Sequence, residues 1–345
     1  MYDVAIVGGG PAGLTAAIWL ARYLHSVVLV DSGDPRHWET RGVNGYLGLP
    51  AVRPAELRSL GRDECRKYGV ELVDGFVARV RKCSDDEFMV DYDPMPVTKA
   101  VEDRRGPGAP RAPEDNAPRD VTESLRARRL LLAFGLKDEW PKVPGLQQVY
   151  GTNAHVCPDC DGFETQGKRV VVVGSGRKAA GLALNIATWT GDIVVCTNGE
   201  PDGMEDEYRE KLAALGIDVV TEPIREIESA GSTIVALRVD GGRRLPCDKL
   251  FFKLGQRPAD DLAAQLGCAR DEEGQVEIDR SGHTSVYNVF AAGDITPGPQ
   301  LAIAAAAAGA TAALAIHKSL VPRERKLEKQ PDAEAQSREG LGAAR

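Results

Sequence analysis

Tyr2-Asp3-Val4-Ala5-Ile6-Val7-Gly8-Gly9-Gly10-Pro11-Ala12-Gly13 is the stretch that decides the fold. Its first six residues read as a buried parallel strand, and the glycines turn directly into an apolar helix, Leu14 to Leu24. A second strand, Val27 to Val30, ends on Asp31. Strand, Gly-x-Gly-x-x-Gly turn, helix and acid together form a dinucleotide fingerprint. Gly8 permits the tight turn, Gly10 lets backbone approach a pyrophosphate, and Gly13 lets helix and strand pack closely. The helix N-terminus offers free N–H groups and a partial positive charge to phosphates. Asp31 is placed to accept from ribose hydroxyls.

The pattern recurs further along. Lys168 to Val173 reads as a strand, then Gly174-Ser175-Gly176-Arg177-Lys178-Ala179 opens a helix through Thr190, and Ile193 to Cys196 is the next strand. Alanine stands at the third glycine position, which the fingerprint tolerates. Counted from its first glycine, this unit places Thr197 where the first has Asp31. It therefore lacks the acid for a ribose, and Glu200 and Asp202 would repel a 2′-phosphate. Arg177 and Lys178 remain able to touch a pyrophosphate, which leaves NADH open and NADPH unsupported.

Near the end of the chain, Val289 to Ile295 reads as a strand closing on Gly293-Asp294, followed by an alanine-rich helix from Gln300. Gly293 allows a close backbone approach to a ligand, Asp294 can hydrogen-bond a polyol hydroxyl, and the helix points its positive end the same way. Val70 to Val80 and Phe88 to Tyr92 read as a hairpin layer on the first unit, and Arg128 to Phe134 as a buried strand. The Pro-, Gly- and charge-rich stretch 94–119 has little to bury and reads as a disordered insertion.

Between the two units lies His155-Val156-Cys157-Pro158-Asp159-Cys160-Asp161-Gly162. A Cys-x-x-Cys pair can close a small disulfide and lowers the pKa of one thiol, which speeds exchange with external dithiols. Asp161 follows, where a carboxyl group can take and return the proton that this chemistry moves. The competing readings are half of a zinc site and a structural bridge. Zinc needs four ligands, whereas Cys65, Cys83, Cys196, Cys247 and Cys268 are scattered singly, so no metal site is expected. His155 is expected to be a surface or core residue more readily than a thiolate stabiliser.

At 345 residues and 43% hydrophobic content the chain is long enough for two packed domains, and a net charge of -8 gives no electrostatic case for nucleic acid or an anionic membrane. The N-terminus has no basic region ahead of its apolar strand, and Leu301 to Ile316 is short for a membrane span. A cytoplasmic protein is expected, where a Cys-x-x-Cys pair is more often catalytic than structural.

With these residues in hand, the chain resembles the low-molecular-weight thioredoxin reductase family of flavoprotein disulfide reductases, from Tyr2 to about Leu320. The carrying motifs are Gly8-x-Gly10-x-x-Gly13, Ala133-Phe134-Gly135 (Ala-Thr-Gly in the family), Cys157-Pro158-Asp159-Cys160-Asp161-Gly162, Gly174-x-Gly176-x-x-Ala179 and Gly293-Asp294. The resemblance implies an α/β fold of the three-layer ββα sandwich type. In it, two Rossmann-like domains would be nested: 1–141 and 248–321 binding FAD, 142–247 inserted and carrying the Cys-x-x-Cys, and 322–345 a mobile tail. It also implies a homodimer. Cys160 would be the flavin-side thiol, Cys157 the interchange thiol and Asp161 the acid–base group. FAD contacts would come from Gly8, Gly10, Pro11, Ala12, Gly13, Asp31, Asn44, Val77, Ala133, Gly135, Gly293, Asp294, Gln300, Leu301 and Ala302.

The family's basic NADPH motif falls on Thr197, Asn198, Gly199 and Gly203, so its cations are missing. Asn44-Gly45-Tyr46-Leu47-Gly48 resembles a dithiol oxidase branch more than the usual Glu-Asn-Phe-Pro-Gly. The first reading is therefore an FAD-dependent disulfide oxidoreductase acting on a thioredoxin-like protein or a small dithiol or disulfide, with NAD(P)H use open. The second is a dithiol oxidase passing electrons to oxygen, or a reductase fed by ferredoxin. The third is a flavin redox sensor that does not turn over.

Overall fold

The computed structural model describes residues 1–94 and 123–326; the expected insertion beyond Pro94 and the expected tail beyond Lys326 lie outside the described residues. The first unit begins with β1 (Tyr2–Val7), α1 (Pro11–Arg22), β2 (Val27–Asp31) and α2 (Pro54–Lys67). It continues with β3 (Glu71–Ser84), β4 (Glu87–Pro94), β5 (Glu123–Leu132) and β6 (Leu136–Asp138). Parallel pairing joins β2, β1, β5 and, from the far end of the chain, β16 (Val289–Ala291). Period-2 alternation then sorts the apolar run of β1 to two faces. Val4 and Ile6 pack with Leu14 and Leu20 of α1 and Ile316 of the terminal helix. Ala5 and Val7 pack with Val80, Phe88 and Val90. A strand covered on both faces has to be apolar throughout, which is why β1 and β2 show no polar alternation.

The hairpin layer is continuous with the central sheet. β3 pairs parallel with β2 through residues 71–74 and then antiparallel with β4, and β4 pairs antiparallel with the first half of β5. The three layers are helices, parallel sheet and antiparallel ribbon.

The second unit comprises α3 (Leu146–Val149), β7 (Ala154–His155), α4 (Pro158–Asp161), β8 (Val170–Val173), α5 (Gly176–Ile186) and β9 (Ile193–Cys196). It continues through α6 (Asp206–Ala214), β10 (Asp218–Val220), β11 (Ile224–Ala230), β12 (Thr233–Val239), β13 (Arg244–Pro246) and β14 (Lys249–Phe252). Its sheet order is β10-β9-β8-β14-β7, all parallel. Val170 and Val172 face Ala180, Ala183 and Ile186 of α5, while Val171 and Val173 face Ile227 and Leu237 of the β11–β12 hairpin.

One expected boundary moves. β14 lies inside the second sheet, so this unit runs past residue 247, where the sequence placed its end. Leu250 to Phe252 are fully buried, with β14 paired between β8 and β7. The chain returns through β15 (Gln256–Pro258), which pairs antiparallel with β6, so the two connections form one ribbon. After α7 (Leu262–Gln265) and β16, the chain closes with α8 (Ala302–Leu320). This helix is long and apolar enough to cross a membrane, yet it lies against α1 so closely that a Cβ on Gly309 would collide with the Ala12 carbonyl.

Candidate active site

A cavity of about 640 Å³ opens at the C-terminal edge of the first parallel sheet, within the range of small-molecule sites. Gly8, Gly10, Pro11, Ala12, Val77, Ala133, Gly135, Gly293, Asp294, Gln300 and Ala302 line it. Gly8 has φ +108, and a Cβ there would strike the Ala133 carbonyl. Gly10 faces open space, as a pyrophosphate cradle needs, whereas a Cβ on Gly13 would overlap the Gly8 carbonyl. Gly13 therefore serves helix–strand packing and does not line the cavity. The size, the open glycine turn and the apolar floor fit an FAD molecule.

Besides Gly13, two more expected contacts differ. Leu301 is the N-cap residue of α8 and is not among the lining residues. Asn44 points elsewhere, its Nδ2 donating to the carbonyl of Cys160 at 2.9 Å. Asp31 does reach the cavity, but its carboxylate is already surrounded. Gly9 and Gly33 N–H groups donate to Oδ1 at 3.1 and 3.2 Å, and Arg58 donates to Oδ2 at 2.9 and 2.5 Å. A ribose hydroxyl would have to share Asp31 with Arg58, which itself lines the cavity.

The sequence reading missed Arg36 and His37 on the cavity wall. Arg36 makes a bidentate pair with Asp138 at 2.8 and 2.6 Å, and its Nη1 donates to Asp294 at 2.9 Å and to Gln300 at 2.7 Å. Burial disfavours its charge, but Asp138 and Asp294 outweigh that and raise its pKa further. His37 is held below the ordinary histidine value by burial and by Arg36, against the opposing charges of Asp138, Asp294 and Asp161. No fingerprint marks either residue, and the partners of Arg36 lie 102 to 264 positions away.

Cys157 and Cys160 form a disulfide with Cα atoms 5.3 Å apart. Pro158 starts the single turn of α4, Cys157 caps it in an extended conformation, and the Cys160 N–H donates to the Cys157 sulfur at 3.2 Å. Both cysteines are half-buried. Gly162 ends the turn against Trp189, whose Cζ3 would lie 2.5 Å from an added Cβ. His155 proves to be buried and part of the site: its Nδ1 lies 3.2 Å from Asp161 and its Nε2 3.3 Å from Lys249 Nζ. Cys65, Cys196, Cys247 and Cys268 are buried, and burial pushes the Cys65 and Cys247 thiols up to about 12. Those four are packing residues, whereas Cys83, for which the same role would be expected, is exposed near the end of β3.

The second glycine turn is closed by its own chain. The Gly176 N–H, first in α5, donates to the Asp202 carbonyl at 2.6 Å. Arg209 pairs with the Asp202 carboxylate, and Thr197 Oγ1 donates to the Glu200 carbonyl at 2.6 Å, which secures the loop. Lys178 turns to the Leu254 carbonyl at 3.3 Å. Gly174, Ser175 and Arg177 keep their expected positions at the turn, but the N–H that should face a pyrophosphate already has an acceptor.

A family model described as pyridine nucleotide-disulphide oxidoreductase matches residues 2–309. Thioredoxin reductase from Bacillus subtilis is 26% identical over 86% of this chain and 87% of its own length. One component of the alkyl hydroperoxide reductase of Pseudomonas putida is 26% identical over 93% of this chain, which spans only 58% of that protein. Among solved structures, TrxB from Bacillus anthracis superposes with a TM-score of 0.80 at 27% identity, covering 94% of this chain and 100% of its own. HlmI does so with 0.81 at 28% identity, covering 99% and 97%.

Proposed function

The chain belongs to the pyridine nucleotide-disulphide oxidoreductase family in its thioredoxin-reductase-like form, and on that premise we propose that it binds FAD and exchanges electrons between FAD and the Cys157–Cys160 pair. The observation that carries this reading is the Asn44–Cys160 hydrogen bond, which ties the redox pair of the second unit to the cavity unit. Bound FAD would supply a two-electron store beside the pair. The chain's own residues do the rest. Cys157 exchanges with the substrate sulfur, Cys160 resolves the mixed disulfide, and Asp161 takes or returns the proton. Substrates would be a thioredoxin-like protein or a small dithiol or disulfide. Phe163, exposed three residues after Cys160, offers apolar contact near the pair. A cytoplasmic homodimer belongs to the same proposal.

The role assignment has a direct spectroscopic test. Cys157→Ser leaves the Cys160 thiolate beside FAD and should give a long-wavelength charge-transfer band. If Cys160→Ser gives that band and Cys157→Ser does not, the two roles are exchanged.

A second reading, dithiol oxidation with oxygen as electron acceptor, is favoured by the loop that fills the Gly176 turn, by Thr197 standing where an acid would end β9, and by the lack of cations at 197–203. Rapid mixing of the yellow protein with NADPH, NADH and a dithiol in turn separates the directions. The oxidase reading expects the dithiol alone to bleach the flavin; bleaching by NADPH within milliseconds would remove it and restore a nucleotide-fed reductase.

A further inference from the structure

We propose that His155 and Lys249 form a proton relay that discharges and reloads Asp161, so that the pair's acid–base group communicates with solvent from the side away from the substrate. This rests on the proposed exchange at Cys157–Cys160. The three groups come from three elements. Asp161 ends α4, His155 lies on β7, and Lys249 opens β14, the strand that pairs with β7. The imidazole sits between the other two, with Nδ1 at 3.2 Å from Asp161 and Nε2 at 3.3 Å from Lys249 Nζ. It is buried and packs on the Phe251 ring at 5.4 Å between centroids, so it has no route of its own to bulk water. Lys249 is half-buried and also donates to the Thr152 carbonyl at 2.9 Å.

A ring with an acid on one nitrogen and an amine on the other can pass a proton without gaining net charge. In one polarity the ammonium donates to Nε2 while Nδ1–H donates to the carboxylate. In the other, the protonated carboxyl donates to Nδ1 while Nε2–H donates to the neutral amine. Burial lowers the Lys249 pKa, with Arg41 and Lys168 adding to that and Asp161 and Glu164 opposing it, which eases the second polarity. His37, from the cavity side, also feels the Asp161 charge.

In dithiol oxidation the steps balance as follows. A substrate thiol gives its proton to Asp161, and its sulfur bonds to the Cys157 sulfur. The Cys157–Cys160 bond breaks, and Cys160 leaves with the electron pair as a thiolate. The proton on Asp161 enters His155 at Nδ1, the Nε2 proton moves to the Lys249 amine, and Lys249 releases one to water. The second substrate thiol then gives its proton to the restored carboxylate, its sulfur attacks the first, and Cys157 departs. The substrate loses two electrons and two protons, and the pair gains the electrons.

Two variants separate relay from scaffold. His155→Asn keeps a donor where Nδ1 faces Asp161 but cannot pass a proton, and Lys249→Arg keeps the cation but does not release one. The experiment follows dithiol-driven flavin bleaching of the FAD-loaded protein across pH. The relay expects both variants to retain FAD and to slow by about tenfold or more, a modest share of general acid–base effects. It also expects the wild-type rise in rate with pH, over the range where Lys249 loses its proton, to disappear in Lys249→Arg. Wild-type rates in both, or slower rates with an unchanged pH profile, would overturn the relay. If His155→Asn fails to fold, the partly exposed Lys249→Arg decides alone. Failure of the underlying reading looks different: dithiols would then leave the wild-type flavin oxidised.

Discussion

Asp260 shows how a single cavity residue sets a pH limit. Its carboxyl lines the cavity, and burial together with the neighbouring Asp261 raises its pKa to about 7, although the Asp261 N–H donates to it at 2.7 Å. The folded value lies above the unfolded one, so the folded state binds the extra proton. That stabilisation is complete below about pH 4 and is lost as pH rises through about 7. The flavin-free protein should therefore show a melting temperature that falls between pH 5 and pH 8, and Asp260→Asn should flatten that fall. A scan in which the variant keeps the wild-type slope would assign the effect to other groups. The carboxylate was invisible as a site residue in the sequence. It belongs to no motif, and only the folded return of the chain, with the Ala259 N–H bonded to the Gly135 carbonyl, brings it to the cavity.

At the scale of the element, the redox turn is held by a glycine against an aromatic ring. Gly162 has ordinary helical φ, so alanine there carries no backbone strain. The obstacle is steric, since its Cβ would lie 2.5 Å from Trp189 Cζ3 and also crowd the Pro158 carbonyl. Gly162→Ala should destabilise the protein by about 1–3 kcal/mol, the usual range for overpacking, and slow dithiol exchange. In a double-mutant cycle, Trp189→Ala should return part of that loss; additive losses in denaturant melts would show that the ring is not the obstacle. Elements of this local kind were legible from sequence. β1, its glycine turn, α1 and β2 follow from contiguous residues, and so does the Cys-x-x-Cys turn with its proline. What escaped depends on distant partners. The end of the second unit was misplaced because β14 looks like any apolar strand until β7 and β8 flank it. The closed Gly176 turn, likewise, depends on a loop whose backbone carbonyl, not its side chains, makes the decisive bond.

Over the whole molecule, the two units are joined by one antiparallel ribbon, β6 with β15, and held together elsewhere by a few polar contacts. Asn44 donates to the Cys160 carbonyl at 2.9 Å, Arg41 to Ser232 Oγ at 2.9 Å, and the Arg41 N–H to the Gly151 carbonyl at 3.3 Å. A ribbon of this kind can act as a hinge, and these contacts hold the pair toward the cavity unit. If a protein partner reaches the half-buried Cys157 only when the units part, and a small dithiol does not need that, loosening these contacts favours the larger partner. Asn44→Ala removes one hydrogen bond, worth about 0.5–1.5 kcal/mol, and should raise the open fraction by up to about tenfold. The rate with a thioredoxin-sized disulfide or dithiol partner should then rise severalfold relative to the rate with a small dithiol, measured on the same FAD-loaded preparation. Equal changes for both substrates would mean that the pair reacts in the closed arrangement whatever the partner's size.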